Sequence, residues 1–362
     1  MRNTSLYKLA KHCLIFSFTG LTFAAAAQTN NDGGWEHYLG LQKVSAENDD
    51  WTRHFRIGAL VGFNIGANFN EKGLFNISGN NAANGIYDDG YVRVDQTGNA
   101  GGYTGYWGYN NASQYNAAAQ TLTMHSASSY STAGSSKDDG GPFPGFDMAY
   151  GGNLWYWRHV RIGWELGFGL LPITITDNQS LSATVNQSAY TFDTGSIVVP
   201  GAPYQGGSSG RGPLIPGTPA SVTSQTLSAG TVTGTRTLDV MLYTVRLGPS
   251  FYWDLTENTS MSVSAGPAVG IASGDYSFDE TIITGNTSAH NTGSFGATDV
   301  VYGGYVNAML MYHIVDNGRN ADLYIGAQYM PMGNATFSNG GREGRLNLDG
   351  QLYLSVGINW PF

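Results

Sequence analysis

Four charged residues lie on two neighbouring alternating segments and are spaced so that they could meet. Arg161 and Glu165 share a face with Gly163 and Gly167; Arg246 and Asp254 share one with Gly248. If Arg161 lies opposite Asp254, Glu165 falls four residues on, within a long side chain's reach of Arg246. Charges withdrawn from water must be paired or hydrated. Two roles follow. The first, which we favour, is a salt-bridge network that only holds the segments together. The second is a charged constriction that filters small solutes.

Acid/base chemistry has weaker support. His125, His290, Asp88 and Asp89 are the residues to consider, but no Ser/His/Asp order has motif context. No catalytic residue is expected. Asp88-Asp89-Gly90 and Asp138-Asp139-Gly140 do not match a calcium-binding loop and read as turns. No metal or cofactor is expected. The stretch Tyr103–Asn111 sets aromatics among amides, a texture suited to glycans and equally to loop packing.

The elements that must position these residues are strands. Apolar and small or polar residues alternate with period 2 in eight segments. The first spans about 54–68, with Phe55, Ile57, Ala59 and Val61 opposing Arg56, Gly58 and Gly62. The second covers about 147–157 and has an ambiguous facing. The third begins at Val160 and the fourth ends near Asp254. The fifth carries Met261, Val263 and Ala265 on one face, the sixth Tyr302, Val306 and Tyr312, and the seventh Leu323, Ile325 and Tyr329. The eighth is the C-terminal run, with Leu352, Leu354, Val356, Ile358, Trp360 and Phe362 on one face. Each is long enough for a tilted membrane strand of ~9–11 residues.

Connections alternate short and long. Short ones fall at 158–159, 256–259 and 315–320; long ones at about 69–146, 174–236, 274–297 and 333–346. Short periplasmic turns and long outer loops are the asymmetry of outer-membrane barrels. An open sheet edge is untenable in hydrocarbon, so the strands must close. The expected fold is all-β, a closed antiparallel transmembrane β-barrel. Eight strands are expected, with ten to twelve allowed because Leu181–Val185 and Val222–Leu227 could add a pair. These two runs read better as hairpin extensions above the membrane. Trp51, Trp155, Trp157, Trp253, Trp360 and Phe362 gather at the short-turn ends, as an inner aromatic girdle would.

Both chain ends suit that location. Arg2, Lys8 and Lys11 precede an apolar stretch over Cys13–Phe23 and an Ala25-x-Ala27 cleavage pattern, so 1–27 reads as a signal peptide. Its removal takes the formal charge from −9 to −12 and discards the one cysteine. Residues 28–52 would be a periplasmic segment and 53–362 the barrel. Leu354, Val356, Ile358, Trp360 and terminal Phe362 resemble the last strand of bacterial outer-membrane β-barrel proteins, of the small outer membrane protein A transmembrane-domain type. That resemblance implies an insertion signal read by the barrel-insertion machinery.

Composition agrees. Charged residues are 12%, about half the ~25% of a soluble domain, and the 51 glycines are about twice the usual share. The acidic balance and the lack of a basic stripe exclude nucleic acid as a partner. The expected protein is a non-enzymatic outer-membrane barrel with a structural or surface-interaction role. Its partners would be outer-membrane lipid and the insertion machinery, with a glycan or protein ligand open at the outer loops. A narrow porin-like channel is the alternative, and a lipid-modifying barrel enzyme the second.

Overall fold

The computed structural model describes residues 42–43, 53–74, 81–137, 141–157, 160–285, 287–316 and 319–361. The expected signal peptide, Trp51 and Phe362 lie outside these. Among the described residues the chain is built from antiparallel strands, with three single-turn 3-10 helices and no α-helix. We number the main strands β1 (Arg53–Phe63), β2 (Gly66–Leu74), β3 (Thr121–Thr132), β4 (Phe143–Trp157), β5 (Val160–Asp177), β6 (Leu181–Asp193), β7 (Ser221–Thr256), β8 (Thr259–Thr284), β9 (Thr287–Asp316), β10 (Arg319–Tyr329), β11 (Ala335–Asn339), β12 (Arg342–Asn347) and β13 (Leu352–Pro361).

Eight of these pair in a ring. β1 pairs with β4, β4 with β5, β5 with β7, and β7 with β8. β8 pairs with β9, β9 with β10, β10 with β13, and β13 returns to β1. The eight expected segments are these eight strands. The count of eight is nevertheless too small for the sheet, which holds sixteen strands. The extra ones come from segments expected to be loops. β2, β3 and β6 arise within 66–193, the β11–β12 hairpin within 335–347, and β5, β7, β8 and β9 run well past their expected ends. Leu181–Val185 and Val222–Leu227 lie in β6 and β7, which pair, but the two runs themselves meet only at Val185 and Leu227.

The lower half of the ring is inside out. Leu166, Val245, Leu247, Phe251, Ile271, Val306, Ile325 and Val356 point outward and are exposed, while Arg56, Asp147, Glu165 and Arg246 point inward and are buried. A large apolar side chain left in water forgoes about 1.5–3 kcal/mol. A belt of this extent therefore needs hydrocarbon around it.

Higher up, the same strands reverse polarity. In β5, outward Leu166, Phe168 and Leu170 give way to outward Pro172, Thr174 and Thr176, while inward Glu165 and Gly167 give way to buried Leu171, Ile173 and Ile175. In β7, Leu242, Val240 and Leu238 are fully buried inside, while outside Asp239 is exposed and Thr237 half-buried. The paired row Leu170–Tyr243–Ile271–Val300 marks the belt's upper rim. Above it the protein obeys the rule for water: apolar inside, polar outside.

The ambiguous facing of β4 has a local cause. Its register against β5 shifts between Asn153 and Trp155, making Leu154 the extra residue of a β-bulge. Below the bulge Trp155 and Trp157 oppose outward Ile162 and Val160; above it Asp147, Ala149 and Gly151 oppose inward glycines and Glu165.

Candidate functional site

The first candidate is the charged layer inside the belt. Arg161 of β5 and Asp254 of β7 meet, Nη2 to Oδ1, at 2.6 Å. Glu165 and Arg246 each have another closest partner. Arg56 of β1 donates from Nη1 and Nη2 to the two oxygens of Glu165 at 2.7 and 3.0 Å. Arg246 donates to Asp147 of β4 at 2.5 Å, and Asp147 also lies 3.7 Å from Arg56. Two arginines thus face two carboxylates, and all four are at most 2% exposed. Ser264 donates to Glu165 at 3.5 Å, and Tyr252 Oη is 2.8 Å from His54 Nε2.

Aromatic and glycine positions complete the layer. The Arg56 guanidinium lies 5.3 Å from the Tyr324 ring centre and that of Arg246 5.9 Å from Tyr305. Gly167 makes room for Arg246: a Cβ there would come within 2.5 Å of its Nε. Desolvated cations over rings are favourable by about 2 kcal/mol.

Above this layer the lumen is filled. Leu60, Leu171, Ile173, Leu242, Phe69, Phe337, Leu346 and Tyr353 belong to one buried cluster, supplied partly by β2 and the β11–β12 hairpin folding into the mouth. Within that upper region lies a second charged group. Arg236 is 3.5–3.7 Å from Glu71, Asp177 and Glu280, and Arg342 is 3.7 Å from Glu280; Arg236 and its three carboxylates are fully buried. Burial and the neighbouring Glu71 push the Glu280 carboxyl up to about 9, so Glu280 keeps a proton at neutral pH.

The outermost part is a small sheet of Ile86–Tyr87, Gly90–Val92, Trp107–Tyr109 and Tyr204–Gln205. Its core holds Tyr87, Val92, Trp107, Tyr109, Leu122, Met124, Phe192 and Ile215. The aromatic stretch read from the sequence is therefore partly core: Trp107 and Tyr109 are buried, and Trp107 Nε1 donates to Pro213 O at 2.7 Å. Tyr103 remains exposed, and Arg93 stacks on Tyr106.

Asp88 and Asp89 serve β3. Asp89 accepts from the His125 backbone at 2.8 Å and from its ring Nδ1 at 2.7 Å; Asp88 accepts from Ala127 N at 2.6 Å. These carboxylates satisfy the N–H groups of an edge strand. The Asp89 hydrogen bond raises the His125 pKa. His290 lies 3.7 Å from Asp279, both exposed. Asp138 and Asp139 are outside the described residues.

Of the girdle, Trp157 and Trp360 are exposed on the outer face, Trp155 and Trp253 half-buried, and Phe55 and Phe251 stack beside Trp360 and Trp253. Leu354 and Val356 are on the exposed face of β13 and Ile358 is half-buried.

The chain matches no protein-family model and no curated protein. Among solved structures it is similar to the outer membrane protease OmpT of Escherichia coli, at 10% identity over 86% of this chain and 97% of that one, with a TM-score of 0.29. The outer membrane protein OprG of Pseudomonas aeruginosa gives 9% identity, 86% and 97% coverage, and 0.29. Ail, the attachment invasion locus protein of Yersinia pestis, gives 11% identity, 86% and 99% coverage, and 0.24. At these scores none of them lends this chain a role. The ring of strands, apolar on its outer belt and charged within, is built on the pattern of a transmembrane β-barrel fold.

Proposed function

We propose that the ring of eight strands is a closed transmembrane barrel whose lumen is sealed, and that the protein works through what it holds above the membrane. The role is structural or surface-interacting and non-enzymatic. One observation carries this: Arg56, Asp147, Glu165 and Arg246 fill the belt's interior at no more than 2% exposure, and an apolar cluster closes the mouth above them. An eight-stranded barrel is just wide enough for side chains to fill. A solute path would need a wet lumen wall, and the channel alternative lacks that support.

The enzyme alternative is weaker still. The lumen carboxylates are engaged by arginines, and Asp88 and Asp89 by backbone N–H groups of β3. Lipid is the partner of the belt, and the β13 alternation fits recognition by the insertion machinery. The exposed Tyr103 and the Arg93–Tyr106 pair are where a glycan would stack. Single-channel recording of the purified protein in a planar bilayer tests the proposal. Silent bilayers are expected, and stable, large conductance steps would overturn it.

A further inference from the structure

Among the strand edges above the belt that lack a full neighbour, those of β3 and β9 are finished differently. On β3 the Asp88 and Asp89 carboxylates take the edge N–H groups of Ala127 and His125. β9 has no such cover from Ser288 to Thr298 among the described residues. It pairs with β8 from Thr287 to Tyr312, but with β10 only from Val306 downward.

The direction of the free groups follows from the ladder. On this side Gly304 N–H bonds to Pro331 O, and Tyr302 O accepts from Gly333 N–H. In an antiparallel ladder alternate residues address the same side. The backbones of Val300, Thr298, Gly296, Ser294, Thr292, His290 and Ser288 therefore face it too. The Val300 N–H is taken by the Asp299 carboxylate, whose other oxygen accepts from Thr336 N–H of β11. From Thr298 to Ser288 no backbone partner occurs on this side among the described residues. Sheet edges are normally blunted by Lys or Pro, and Thr287–Thr298 contains neither.

The two faces beside this edge have opposite character. Inward, Phe295 stacks on Tyr276 with ring centres 5.1 Å apart, yet Phe295, Ala297 and Phe278 are only partly buried at the rim of the apolar cluster. Outward, β8 presents exposed Asp275 and Asp279, and Asp275 is paired with exposed Asp239 of β7. Asp275 lies opposite Gly296, so no β9 side chain screens it from a strand added beyond. Two strand spacings, about 10 Å, separate such a strand from β8, within a lysine's reach.

We propose that the β9 edge from Ser288 to Thr298 is a strand-addition site. Its partner is an extended segment of another polypeptide, with apolar side chains on the inward row and Lys or Arg on the outward row. Backbone hydrogen bonds supply affinity, and the alternate rows supply specificity. This rests on the sealed-barrel reading only for the outward placement of the edge.

A fluorescein-labelled, end-capped ten-residue peptide of alternating Val and Lys is titrated by anisotropy against the full protein in detergent micelles. Saturable, salt-weakened binding is expected. Ser294→Pro should weaken it about tenfold or more, because it removes an edge donor and no bond of the β8 ladder. Asp275→Asn with Asp279→Asn should weaken it too and flatten the salt dependence. In amide exchange the even-numbered amides from 288 to 298 should be fast in the free protein and slowed by peptide. The proposal is overturned by absent binding, by equal binding of a Val–Glu peptide, by indifference to Ser294→Pro, or by edge amides already protected through pairing with a second copy. A conducting lumen would sink the sealed-barrel reading and leave these binding results standing.

Discussion

Arg56 and Glu165, 109 residues apart in sequence, form a two-pronged ion pair in the middle of the membrane belt. Ring pairing makes this contact: β1 lies beside β4, which lies beside β5. Glu165→Ala should destabilise the barrel by about 3–5 kcal/mol, since it strands a buried guanidinium. A double-mutant cycle in urea refolding should give strong coupling for Arg56 with Glu165. Coupling of Arg246 with Glu165 should be weaker, because Asp147 holds Arg246. The reverse order would contradict the geometry.

The sequence makes some of this network legible and hides the rest. Arg161 and Asp254 are readable as partners because both stand near the short-turn ends of the third and fourth alternating segments, β5 and β7, which pair. The partner of Glu165 is hidden because β1 and β5 sit at distant sequence positions and meet only once the ring forms. Asp147 is hidden by Leu154, whose bulge breaks the period of β4 just where its facing would be read. The extension above the belt is masked by the polarity reversal. Ile173 and Ile175 alternate with Thr174 and Thr176, but on the face opposite to Leu166 and Phe168. A reader following one apolar face sees the strand stop at the membrane rim.

The Glu71–Glu280 pair makes stability depend on pH. Glu280 keeps its proton in the folded protein up to about pH 9, whereas an unfolded glutamate loses it near 4.5. Between these values the folded state binds the extra proton, so stability falls as pH rises across this window and levels off above it. Glu280→Gln should remove that slope and make the protein more stable than the parent at pH 8. Urea midpoints measured from pH 5 to 9 check this. A slope that persists in the variant would place the proton elsewhere.

Asp89 ties the outer small sheet to β3 through His125. Asp89→Ala leaves the His125 N–H unpaired, at a local cost of about 1–3 kcal/mol. Faster exchange of the His125 amide is the expected readout. The raised His125 pKa gives the sign of the pH effect: the ion pair's contribution is full below the unfolded value of 6.5 and fades as pH rises through the elevated folded value. Once corrected for intrinsic rates, protection at this amide should be greater at pH 6 than at pH 9 in the parent. The difference should vanish in Asp89→Ala.

The tryptophans separate the membrane from what stands above it. Trp157 and Trp360 face outward at the lower end of the belt, Trp164 faces outward within it, and Trp107 is fully buried in the outer small sheet, packed 4.6 Å from the Tyr204 ring centre. Interfacial tryptophans rest at headgroup depth. In single-tryptophan variants refolded into vesicles, lipids brominated near the headgroup should quench Trp157 and Trp360 most. Lipids brominated deep in the chain should quench Trp164 most, and neither should touch Trp107. Strong quenching of Trp107 would bring the outer sheet down to the bilayer and move the belt's upper rim away from the row Leu170–Tyr243–Ile271–Val300.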